Sequence, residues 1–161
     1  MPCHPGWIKL LTEMEQMHEG YSKAVKLVMG EAQRGSLQHI HGPVADLLKV
    51  PEEYTVAIET ALGGAMQNLV VDREEDGKAV IQYLKRRDGG RATILPLSSI
   101  RPGELREAGS LSREPGFVGV ADQLVQFDPQ YRAVFSNLLG RVAVMEDLDA
   151  AIAAARRFGY R

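Results

Sequence analysis

The sequence predicts a mixed α/β (α+β) chain: two similar small α/β subdomains behind a short N-terminal coiled-coil helix, the second subdomain lacking its last strand. Three observations predict it. Between Val50 and Leu97 the residue pattern runs helix, strand, helix, strand. From Asp128 to Phe158 the same order returns, and Tyr54/Tyr131, Ile58/Phe135, Leu62/Leu139 and Gly63/Gly140 all stand 77 residues apart, the mark of an internal repeat. Near the N-terminus, Trp7, Leu10, Met14, Met17 and Tyr21 recur at alternating spacings of three and four, which is a heptad seam.

Taken in order, residues 1–6 fit no periodic pattern, and the heptads follow over Trp7 to Tyr21 with Glu13, Glu15, Gln16, His18 and Glu19 on the other faces. Two heptads also suit a plain amphipathic helix lying on the domain. Tyr21 to Gln33 continues as a helix with Ala24, Val25, Val28 and Met29 inward, ended by Gly35. Leu37–Ile40 alternates like a short strand, Gly42-Pro43 is turn punctuation, and Val44–Leu48 is a helical turn or two. Pro51 with Glu52 and Glu53 starts a helix, since proline suits a first helical position and acids there complement the dipole. Its apolar side is Val56, Ala57, Ile58, Ala61 and Leu62, and Gly63-Gly64 ends it.

Met66 and Leu69–Val71 read as a buried strand, and Asp72 to Asp76 opens a helix that buries Val80, Ile81 and Leu84. Asp88-Gly89-Gly90 closes it before a strand over Ala92–Leu95. Ser98 to Gly116 loses periodicity and reads as a connector with a short helix at Gly103–Ala108. Phe117–Val120 is a strand, and Ala121–Phe127 is open between strand and helix. Asp128-Pro129 then opens a helix with Val134, Phe135, Leu138 and Leu139 inward. Val142–Met145 is a strand, and Ala150–Phe158 a helix with Arg156-Arg157 near its end. The expected division is residues 1–20 (tail and coiled-coil stub), 21–116 (first subdomain with connector) and 117–161 (second subdomain).

Composition bounds the function. In 161 residues, 45% are hydrophobic and 25% charged, which is ordinary globular material able to form a core. A net charge of −2 excludes a nucleic-acid binder that works through its whole surface, but not a local basic patch. The single cysteine, Cys3, precludes an internal disulfide. No apolar run approaches the roughly 20 residues that span a bilayer.

Catalytic and cofactor motifs are not found: there is no phosphate-binding glycine loop, no dinucleotide fingerprint and no zinc-protease helix. His39-x-His41 places two imidazoles on alternate residues without a third ligand at a recognisable spacing, so a structural pair is favoured over a metal site. The acids Asp72, Glu74, Glu75 and Asp76 are explained by the helix dipole. One cluster stands out: Lys85, Arg86, Arg87 and Arg91, with Asp88-Gly89-Gly90 between them. Arginine forks bind phosphate oxygens, and glycines let a backbone approach them. Basic residues in a last helical turn also complement the dipole, as Arg156-Arg157 do later, and the residues alone favour that plainer role.

His41–Leu48, the tyrosine-centred helix Glu53–Leu62, the strand Gln67–Val71, Glu19–Val25 and Gly90–Leu97 together resemble the hinge domain of bacterial SMC (structural maintenance of chromosomes) proteins. The resemblance covers about Thr12 to Arg161. It implies a homodimerisation module that joins two SMC chains for chromosome condensation and segregation, in the cytoplasm and on the nucleoid. It further implies weak DNA affinity through basic surface, with Lys85, Arg86, Arg87 and Arg91 as candidates. The family's ATPase motifs, and its kleisin and accessory partners, belong to head regions that this sequence does not contain, so no enzyme activity and no cofactor are expected. Family hinges continue past the second helix with a further strand. The sequence ends at Arg161, so a weakened dimer or pairing through an open sheet edge is expected. The alternative is a small α/β ligand-binding or enzyme fragment with a pocket between its repeats.

Overall fold

The structure is a computed structural model, and it describes residues 22–106 and 108–158. The expected coiled-coil stub, Trp7 to Tyr21, lies outside the described residues. The described residues form two compact units, one made of 22–47 with Gly64–Ser99, the other of Leu48–Gly63 with the described residues from Ile100 to 158.

In the first unit, helix α1 (Lys23–Arg34) starts where Ser22 Oγ accepts the Val25 N–H, and ends at Gly35 with φ +86°. It buries Ala24, Val25 and Val28, while Met29 is half-buried. Strand β1 (Ile40–Pro43) runs antiparallel to β3 (Leu69–Val71), which runs parallel to β4 (Ile94–Pro96). Gly42-Pro43 is therefore strand rather than turn. Proline tolerates that place because β1 is an edge, and Gly42, at φ +127°, sits in the bulge after Ile40. Helix α3 (Glu74–Arg87) covers this sheet with Gly77, Val80, Tyr83 and Leu84. Ile81 was expected inside and is 43% exposed, because the buried stripe runs 77, 80, 84 and turns Ile81 to its flank. Gly77 lies so close beneath Ile94 that a Cβ would stand 3.0 Å from its Cγ2.

In the second unit, β2 (Leu48–Lys49) pairs antiparallel with β6 (Gln126–Phe127). Helix α2 (Thr55–Leu62) follows β2 and buries Ile58 and Leu62; Val56, two residues from Ile58 and so on the opposite face, is 77% exposed against expectation. The β2–β6 pairing places Leu48–Gly63 in the second unit, where the contiguous border had assigned it to the first. Backbone pairing between residues about 78 apart in sequence leaves no local trace. Helix α4 (Ala108–Leu111) is shorter and later than the Gly103–Ala108 helix expected, and residues 101–105 are an irregular strap, neither helix nor strand. The strap is held on helix α5 (Arg132–Leu139), where Ser136 Oγ donates to Gly103 O and Asn137 Nδ2 to Arg101 O, each at 2.8 Å. Strand β5 (Phe117–Val120) pairs antiparallel with β7 (Ala143–Met145), and α6 (Leu148–Phe158) closes the described chain. Ala121–Phe127 resolves as a 3-10 turn followed by β6.

The internal repeat is longer than its sequence identities. β1 and β5 stand 77 apart, carry the same bulge and pair with strands of the same rank, Ile40 with Val71 and Phe117 with Met145. Helices α2 and α5 keep that offset. After them the offset becomes 74, because the first copy passes through a 3-10 segment, Gly63–Gln67, and the second turns directly at Gly140-Arg141.

Candidate functional site

The basic cluster belongs to the C-terminal end of α3. Acids fill the first turn of that helix and Asp76 Oδ2 accepts the Arg73 N–H at 3.0 Å, while Lys85, Arg86 and Arg87 fill the last turn, so charge runs with the dipole. The helix ends on Asp88 in the left-handed region, φ 50° and ψ 44°, and the Gly89 N–H reaches Leu84 O at 2.8 Å. Gly89 is buried, with Leu27 and Leu84 side chains where a Cβ would stand; that contact, not a phosphate, accounts for this glycine.

Lys85, Arg86, Arg87 and Arg91 are all exposed. Their roles differ. The Arg87 guanidinium lies 5.5 Å from the centroid of the buried Tyr83 ring, and its charge also acts on Glu31. Lys85 and Arg86 share its turn, and Arg91 follows beyond the cap. The structure adds a cation that local sequence could not: Lys23 Nζ donates to Asp88 O at 3.4 Å, from 65 residues away.

The histidine pair converges on one carboxylate. His41 Nε2 meets Asp72 Oδ1 at 2.5 Å and His39 Nδ1 lies 3.3 Å from Asp72 Oδ2, while the Asp72 N–H donates to His39 O at 3.1 Å. Asp72 thus serves the end of the β1–β3 ladder rather than the helix start expected of it. The His41 hydrogen bond holds its carboxyl below the ordinary range; partial burial pushes the other way, and the charges of His41, His39 and Arg73 lower it further. Among the described residues, no group of three or more His, Cys, Asp or Glu side chains is arranged to hold a metal ion.

With this geometry in place, the family described as "SMC proteins Flexible Hinge Domain" matches residues 37–155. The chain belongs to the SMC hinge family. The hinge is 43% identical over 154 residues to the chromosome partition protein Smc of Bacillus subtilis and 40% identical over 153 residues to that of Desulfitobacterium hafniense. Each alignment covers 94% of this chain but 13% of the relative, so the chain spans about an eighth of the length of the curated relatives it matches.

Among solved structures, an asymmetric dimer of the Geobacillus stearothermophilus SMC hinge domain is similar at 44% identity and a TM-score of 0.85, over 95% of this chain and 61% of that one. The Pyrococcus furiosus SMC hinge domain is similar at 29% identity and 0.69, over 94% and 77%. Membership favours an assembly module over the alternative of a ligand-binding or enzyme fragment. Among the described residues, no helix is long and apolar enough to cross a membrane.

Proposed function

We propose that this hinge joins two Smc chains into a homodimer and that the α3–β4 turn adds an auxiliary DNA contact. The observation that carries the first part is the likeness to the Geobacillus hinge, which is described as an asymmetric dimer and shares 44% of its residues with this chain. Sheet edges are the natural contact surfaces: among the described residues β4 pairs on one side only, and so does β7. No catalytic role and no cofactor belong to this reading. In the whole protein the hinge would act in chromosome condensation and segregation, in the cytoplasm and on the nucleoid, with ATP, kleisin and accessory subunits engaged by regions outside these residues.

The DNA contact rests on Lys85, Arg86 and Arg91, exposed at a helix end and joined there by Lys23, with Arg87 divided between Tyr83 and solvent. Such a contact is electrostatic and independent of sequence. Sedimentation equilibrium tests the first part: a dimer mass is expected, and a monomer at all accessible concentrations refutes it. Fluorescence anisotropy with duplex DNA tests the second. Lys85→Glu with Arg86→Glu should weaken binding and flatten the plot of log K against log salt by about two charge equivalents. Unchanged DNA affinity would remove the DNA assignment and leave the dimer intact.

A further inference from the structure

Helices α2 and α5 are the same helix of the repeat in two different surroundings. They stand 77 residues apart, each follows a 3-10 turn, and both bury the same positions, Ile58 and Leu62 in one and Phe135 and Leu139 in the other. With the core side matched, the outward stripes match too: Val56, Glu59, Thr60 and Gly63 on α2, Ala133, Ser136, Asn137 and Gly140 on α5. On α5 the stripe is covered. The strap crosses it, Ser136 and Asn137 donate to the strap's carbonyls, and Gly140 lies buried against Gly103 O. On α2 the stripe is bare. Val56 is 77% exposed, Thr60 and Gly63 are exposed, and nothing packs within 4 Å of where a Gly63 Cβ would stand.

The chemistry of the two stripes differs, and the difference names the occupant. α5 offers a hydroxyl and an amide, both donors, to the carbonyl oxygens of a passing chain. α2 has Glu59 at the place of Ser136, and the turn before it has Glu53 at the place of Gln130. Carboxylates only accept, so the matching partner brings N–H donors and positive charge. Residues 52–62 hold three acids, Glu52, Glu53 and Glu59, and no Lys, Arg or His. The helix dipole accounts for the first two, which lie at the start, but opposes Glu59, which lies in the last turn. Val56 stands three residues after Glu53 and three before Glu59, an apolar anchor between two carboxylates. The acids repel nucleic acid and anionic lipid, which leaves protein.

From the bare stripe, its covered counterpart and its charge together, we infer that α2 is a docking face for a non-helical basic segment of a partner protein, one that alternates cationic and aliphatic side chains. The segment lies along α2 as the strap lies along α5. Its cations reach Glu53 and Glu59, an aliphatic side chain seats on Val56, and Gly63 lets the backbone come close. None of the residues assigned to the dimer or to DNA takes part, so this inference stands or falls apart from those readings.

The test is an NMR titration of the chain with the peptide acetyl-Arg-Val-Arg-Leu-Arg-amide. Two further peptides are controls, one with glutamate for arginine and one with serine for valine and leucine. Saturable shifts are expected at 52–63, larger than any at 129–140, where the strap already fills the stripe. The glutamate peptide should give none. The serine peptide should bind about tenfold more weakly, the scale of losing one buried aliphatic contact. Val56→Ser, at an exposed position, should weaken the parent peptide by about the same factor, and Glu53→Gln with Glu59→Gln should remove most of the salt dependence of binding. Equal binding of the arginine and glutamate peptides, shifts centred outside 52–63, or affinity unmoved by Val56→Ser would each overturn the inference. Shifts at 52–63 that grow with the concentration of the chain alone would give the face to a second copy and overturn it as well. The comparison of peptides needs no variant, so it decides even if a substitution fails to fold.

Discussion

Gly140→Ala is the sharpest test of how the strap is held. Gly140 has an ordinary helical backbone, φ −68° and ψ −14°, so alanine brings no conformational strain. The cost is collision: a Cβ there would run into the carbonyl oxygens of Gly103 and Ser136, both main chain and unable to swing aside. Relief requires bending the last turn of α5 away from Ser136 O and lifting residues 101–105 from it, with loss of the Ser136–Gly103 and Asn137–Arg101 hydrogen bonds and loosening of Leu105, which is 7% exposed. Overpacking of about 1–3 kcal/mol plus two hydrogen bonds near 1 kcal/mol each, partly exclusive of one another, gives about 2–4 kcal/mol. For a chain of this size that lowers the midpoint by roughly 5–15 °C in a thermal melt followed by circular dichroism. A double-mutant cycle isolates the mechanism: Ser136→Ala should cost about 1 kcal/mol alone and close to nothing beside Gly140→Ala. A Gly140→Ala melt within about 1 °C of the parent, or strict additivity with Ser136→Ala, would refute the reasoning.

Gly63, the repeat partner of Gly140, should fail for another reason: its surroundings are open but φ is +52°, so Gly63→Ala should cost about 1–2 kcal/mol through backbone strain, read by urea denaturation. Phe135 is fully buried and stacks on Phe127 at 4.7 Å, so Phe135→Ala should cost about 3–5 kcal/mol, seen as a lower urea midpoint at unchanged slope. The Asp72 carboxyl is held below its unfolded value, so its stabilisation is present above that value, near 3.9, and is lost as pH falls through the folded one. Urea titrations at successively lower pH below about 4 should therefore show the gap between the parent and Asp72→Asn closing.

Particular residues show how much was legible. Helix starts and ends were, because they depend on near neighbours: Gly35 and Asp88-Gly89 close the helices they were expected to close. The repeat was legible in three identities and the apolar pair Ile58/Phe135, although the match of β1 to β5 was not, since Gly42-Pro43 was read as a turn and Phe117–Val120 as a strand. Faces were less secure. Val56 and Ile81 looked like core and are exposed, since hydrophobicity marks a residue that can be buried and not one that is. The basic turn was found whole apart from Lys23, which reaches Asp88 from another helix.

The amino-acid order by itself determined the glycine-marked ends of α1 and α3, the twofold recurrence of the unit, the basic end of α3 and the resemblance to a hinge. Those are local patterns, or comparisons of one local pattern with another. Tertiary structure alone decided that Leu48–Gly63 belongs with the second unit, that the supposed connector docks as a strap on α5, and that His39 and His41 share Asp72. Each depends on contact between residues some 30 or more positions apart, where the free energy comes from shape and pairing that no stretch of sequence contains.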